Sequence, residues 1–147
     1  MSDSHSVILR VSHTDLSCDL LEIETLVSVG AFSGVCRGYD GAAHVRDMTR
    51  QFETWAERPE GAFEFRIGDA TSTGLAQLSF RVVGQARHIQ CRISLRTDYT
   101  HWGKEHCDGS ELAVTMPVEL AGIDRFIRDL YALVEGRAAE AILPGRV

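Results

Sequence analysis

Between Phe63 and Leu95 apolar and polar side chains alternate through three successive segments, and no other feature of the sequence restricts the fold as strongly. Phe63, Phe65 and Ile67 alternate with Glu64 and Arg66. Ala76, Leu78, Phe80 and Val82 alternate with Gln77, Ser79 and Arg81. Ile89, Cys91, Ile93 and Leu95 alternate with Gln90, Arg92, Ser94 and Arg96. Strand side chains point alternately to opposite faces, so each segment reads as a strand with one dry side and one wet side. Gly68, Gly74 and Gly84 fall in the links, as short antiparallel connections require.

The same period extends the sheet at both ends. Val7 to Val11 reads as a first strand at the sheet's edge, followed by a turn at His13-Thr14-Asp15. Leu21, Ile23, Thr25, Val27 and Val29 share one face of a long strand, with Glu22, Glu24 and Ser28 opposite. Gly30 breaks this strand and Ala31 to Arg37 resumes as its hairpin partner. Leu112, Val114 and Met116 form the inward face of a last strand, Glu111 to Met116, which Pro117 stops.

Two segments carry helical spacing instead. Val45, Met48, Phe52, Trp55 and Ala56 form one stripe, with His44, Arg46, Asp47, Arg50 and Glu53 around it. This helix follows a turn at Gly38-Tyr39-Asp40-Gly41, with Asp40 as its N-cap, and ends at Pro59 and Gly61. Leu120, Ile123, Phe126, Ile127, Leu130, Leu133 and Val134 form a second, broader stripe, with Gly136 as C-cap. Residues 137–147 read as a tail, helical through Ile142 until Pro144. The expectation is one α+β domain over residues 1–147, with its core at about 7–136. Its order is βββ-α-ββββ-α, with an antiparallel sheet of six to seven strands and both helices packed on one face. Strands and helices do not alternate, which excludes a parallel dinucleotide-binding sheet.

Composition narrows the partners. Hydrophobic residues make up 44% and charged residues 24%, so the chain can bury a core. The formal charge of -6 disfavours nucleic acid and favours a basic partner. No apolar run reaches the roughly 18 residues a membrane span needs, and the start lacks a signal-peptide pattern. A cytoplasmic protein with free thiols at Cys18, Cys36, Cys91 and Cys107 is therefore expected.

Catalytic signatures are largely missing. Neither GxGxxG nor GxxxxGK[ST] occurs, and Gly30-Ala31-Phe32-Ser33-Gly34 departs from GxSxG by one place, reading as hairpin punctuation. Glu22 and Glu24 share a strand face without a pocket to make them an acid–base pair. The polar stretch His101-Trp102-Gly103-Lys104-Glu105-His106-Cys107-Asp108 reads first as a solvated or partner-contacting loop. Its weaker alternatives are a metal site at His101, His106 and Cys107, or a cysteine–histidine dyad.

Charge is uneven along the chain. Between Asp15 and Glu24 there are acids only, whereas Arg66, Arg81, Arg87, Arg92 and Arg96 are opposed by Asp69 alone. Arg66, Arg81, Arg92 and Arg96 fall on the wet side of the strands and, with Trp102 as an anchor, form a candidate protein-binding surface. The plainer alternative is that Glu22, Glu24 and Glu64 neutralise these arginines across strands.

The order of elements from Leu21 to Leu133 resembles the immunity proteins of the WapI type that accompany bacterial contact-dependent toxins. The likeness rests on the Gly30–Gly34 turn, the helix carrying Phe52 and Trp55, the strands from Phe63 to Leu95, the Trp102 loop and the helix from Leu120 to Leu133. It implies a non-catalytic, cofactor-free inhibitor that binds a cognate toxin domain, itself expected to be basic. The alternatives are another interaction or adaptor domain, or a small-molecule or metal-binding enzyme using the 98–110 loop. Self-association through an open edge of the first strand is a further expectation.

Overall fold

The computed structural model describes residues 4–15, 17–68, 74–97 and 110–146. Among them the order is β1 (Ser6–Asp15), β2 (Leu20–Val29), β3 (Phe32–Gly41), α1 (Ala42–Glu57), β4 (Ala62–Gly68), β5 (Gly74–Val83), β6 (His88–Thr97), β7 (Glu111–Val118), α2 (Leu120–Val134) and β8 (Glu140–Pro144). The α+β class and the antiparallel pairing agree with the sequence pattern. The single sheet does not. The strands form two four-stranded sheets, ordered β3-β2-β1-β8 and β4-β5-β6-β7.

Periodicity assigns faces but not partners, and this is where the expectation fails. β1 is an inner strand, because Val7, Leu9 and Arg10 pair with Leu143, Ala141 and Glu140 on its second side. The expected C-terminal helix is β8 instead. Its Ala141 and Leu143 are buried while Ile142 between them is exposed, which is a strand's alternation. Two further boundaries move. The expected turn at residues 38–41 continues as β3, where Glu22 pairs with Tyr39 and Leu20 with Gly41. Pro117 lies within β7, paired with Gln90, on an edge strand where the missing N–H is tolerated.

The sheets meet through β3. Gly34 lies against Leu112 and Leu95, the Cys36 thiol donates to the Arg96 carbonyl, and Gly38 abuts Gly74 and Ile67. Residues taken two at a time along β3 thus touch β7 and β6, then β6, then β5 and β4. A strand that meets its neighbours in that order crosses them rather than running alongside. Small side chains at the crossings let the backbones approach closely.

The helices are not two parallel covers on one sheet. The Phe52 ring of α1 stacks on Phe63 at 5.1 Å and contacts Phe80 at 4.5 Å on the second sheet. It also meets Phe126 of α2 edge-on at 6.4 Å. α2 packs against α1 and along β8, with Gly122 beside the Pro144 ring. Phe52, Phe65, Phe80 and Phe126 are all fully buried, so one core joins both sheets and both helices.

The helix ends are held by backbone and by distant side chains. Asp40 does not cap α1. Gly41 is the N-cap, and Asp19, in the β1–β2 turn, accepts from Ala42 N–H through its carbonyl and from Ala43 N–H through its carboxylate. The Asp40 carboxylate instead receives the N–H groups of Gly41 and Gly68, joining β3 to the end of β4. At the end of α2, Gly136 has φ +75°. Gly136 N–H donates to Leu133 and Arg137 N–H to Ala132, which is a Schellman closure as the sequence predicts.

Candidate functional site

The wet side of the second sheet is built by its pairing register. Ala62, Arg81, Gln90 and Pro117 form one row across the strands, and Glu64, Ser79, Arg92 and Thr115 the next. Arg66, Gln77, Ser94 and Ala113 form the third row, and Gly68, Leu75, Arg96 and Glu111 the fourth. All four sequence-predicted arginines of the described residues therefore lie on one face, each side chain exposed.

Their partners decide what this face can do. Arg96 faces Glu111 at 3.6 Å, a loose and exposed pairing that contributes little. Glu64 accepts from Gln77 Nε2 at 3.0 Å instead of pairing with an arginine. Among the described residues, Arg66, Arg81 and Arg92 have no carboxylate within ion-pair distance. Glu22 and Glu24 cannot neutralise them, because both carboxylates lie on the first sheet. Glu24 holds Arg37 at 3.0 Å, and Glu22 accepts from Ser12 Oγ at 2.6 Å and Tyr39 Oη at 2.5 Å. The plainer expectation, neutralisation across strands, is thus not what the side chains do.

Arg81 and Arg92 flank a shallow hollow of about 530 Å³ that Glu64, Ser79, Gln90 and Thr115 also line. Guanidinium groups beside hydroxyls and amides present mainly donors, which suits carboxylate or carbonyl acceptors on another molecule.

The remaining candidates are chemically quiet or lie elsewhere. Hydrogen bonds from Ser12 and then Tyr39 hold the Glu22 carboxyl below its ordinary range, so it is a poor proton donor. Burial pushes the Cys36 and Cys91 thiols up, away from the reactive thiolate. Cys18 is exposed, and its hydrogen bond to Asp15 raises it too. Among the described residues no three histidine, cysteine or acidic side chains converge on a metal-sized space. Trp102, and the alternative ligands His101, His106 and Cys107, lie outside the described residues.

One row escaped the sequence reading. On the outer side of the first sheet, Val35, Leu26, Ile8 and Ile142 line up across β3, β2, β1 and β8. Leu26 carried the signal, being apolar on the face assigned to Glu22, Glu24 and Ser28.

No helix among the described residues is long and apolar enough to cross a membrane. Set against family models, curated proteins and solved structures, the chain matches none of them.

Proposed function

We propose that this chain is a non-catalytic protein-binding domain whose contact surface is the arginine face of the second sheet. In its sharpest form the proposal is an immunity protein that neutralises a bacterial toxin by direct binding. The observation that carries it is that, among the described residues, Arg66, Arg81 and Arg92 have no carboxylate partner on the outer face of the four-stranded second sheet. The planar guanidinium fork makes several directed hydrogen bonds at once, and arginines are frequent anchors at protein interfaces.

The charge distribution defines the partner in two steps. An overall charge of -6 attracts a basic domain from a distance. At contact, the arginines need acceptors, so the partner's docking patch presents carboxylates or backbone carbonyls. On this reading the partner is a protein, bound in the cytoplasm without cofactor or nucleic acid.

The test is calorimetry of the purified chain with the toxin domain encoded beside its gene. Tight one-to-one binding, weakened at least tenfold by Arg92→Glu and by Arg81→Glu, supports the reading. Absence of binding, or affinity unchanged in both variants, overturns it.

A further inference from the structure

The outer face of the first sheet has a pattern that matches itself. Its apolar row runs Val35, Leu26, Ile8, Ile142, with Val35 53% and Ile142 37% exposed. The row beside it runs Arg37, Glu24, Arg10, Glu140. Its charges alternate strictly, and the two outer pairs are joined, Arg37 to Glu24 at 3.0 Å and Arg10 to Glu140 at 2.9 Å. Val35, Tyr39 and Ile142, all on this face, are among the few large apolar or aromatic side chains exposed on the described residues.

We propose that this face docks a second copy of the same chain. A two-fold axis parallel to the strands, between β2 and β1, reverses the strand order and keeps the level along each strand. Arg37 then meets Glu140 of the other copy, and Glu24 meets Arg10. An alternating row of even length is complementary to its own reversal, so every cation faces an anion. At the neighbouring level Val35 covers Ile142 and Leu26 covers Ile8. This is the self-complementarity that an isologous dimer requires. A general partner would not need it.

The size fits a modest dimer. Four strands at about 4.8 Å spacing, with four rows about 6.8 Å apart, give a patch of roughly 20 by 27 Å. Two such patches bury on the order of 1,000 Å² together, the lower end for specific association. The arginine face lies on the other sheet, so the dimer leaves it open for a different protein.

Sedimentation equilibrium between about 1 and 100 μM tests the proposal, a range centred on affinities expected for an interface this small. The wild-type chain is expected to dimerise. Arg37→Glu places like charges at both copies of its contact, and Glu140→Arg does the same, so each alone weakens the dimer at least tenfold. Mixed in equal amounts they restore it, because every facing pair in the mixed dimer is again of opposite sign. Val35→Glu, at an exposed edge position, serves as a second disrupting variant if either charge variant misfolds. A wild-type monomer throughout the range overturns the proposal. So does a dimer insensitive to all these changes, or a mixture that stays monomeric.

Discussion

Gly74 leaves no room for a side chain against the carbonyl of Arg37. A Cβ built there overlaps the Arg37 oxygen and comes within 2.8 Å of Cys36 Sγ. Both obstacles belong to β3 where it crosses the second sheet, and one is backbone, which cannot rotate away. Gly74→Ala is therefore expected to cost about 3 kcal/mol, the upper end for forced overpacking. Gly34→Ala meets the far end of the Leu112 side chain at 2.7 Å. That group can turn aside, so about 1 kcal/mol is expected. Urea denaturation of both variants checks the order, and equal losses would refute the crossing as the tight point.

Phe52 joins three layers, touching the second sheet through Phe63 and Phe80 and α2 through Phe126. Phe52→Ala should destabilise by about 3–5 kcal/mol, the range for a fully buried aromatic. Trp55→Phe should cost far less, since Trp55 sits at the rim of the same cluster and its Nε1 donates only to the Glu60 carbonyl. Thermal melts of the two variants provide the comparison.

Asp19 combines two local demands. Its φ is +56°, and its carboxylate receives the Ala43 N–H at 3.1 Å. Asparagine meets both demands, tolerating left-handed backbone and offering an acceptor oxygen. Asp19→Asn is thus expected to be nearly neutral, while Asp19→Ala costs about 1 kcal/mol for the lost cap, with backbone strain added. Helix content and chemical denaturation would expose a failure of this ranking.

Glu22 sets a pH dependence of definite sign. Its carboxyl titrates below the ordinary value because Ser12 and Tyr39 donate to the charged form. The unfolded chain thus binds a proton at a higher pH than the folded one. The resulting stabilisation is present above the ordinary carboxylate pKa of 4.5 and is lost as pH falls through the lower folded value. Tyr39→Phe removes one donor. The stability gap between wild type and this variant should therefore be larger at pH 6 than at pH 3. A gap that stays constant across that interval would rule out the linkage.

Arg81→Ala and Arg92→Ala should leave stability within about 0.5 kcal/mol, as expected for exposed side chains with no special contact. Thermal unfolding separates this outcome from a structural role. A loss of several degrees in either variant would mean that the arginines support the sheet itself and are not free for a partner.

The legible part of the fold was whatever side-chain parity alone determines. Alternation from Phe63 to Leu95 placed Arg66, Arg81, Arg92 and Arg96 on one face, and the stripe from Leu120 to Val134 placed α2. Pairing was not legible. Ala141, Ile142 and Leu143 make too short a run to distinguish strand from helix, so the partner of β1 stayed hidden and its edge looked open. β3 was obscured because Gly34, Cys36 and Gly38 are small where the sheets cross, which interrupts the apolar alternation that marks other strands. The Asp19 cap joins a turn to a helix that begins 23 residues later, and no local spacing reveals such a contact. The neutrality of Glu22 and Glu24 toward the arginines could not be read either, because charge alone does not say which sheet a residue joins.

Arg10 and Glu140 are paired across 130 positions of chain. At about 5–20 residues per second, a ribosome needs on the order of ten seconds to add the segment that seals β1. During that interval the backbone groups of β1 that pair with β8 have no native partner. Closure of the first sheet is therefore tied to the last part of the chain to be made.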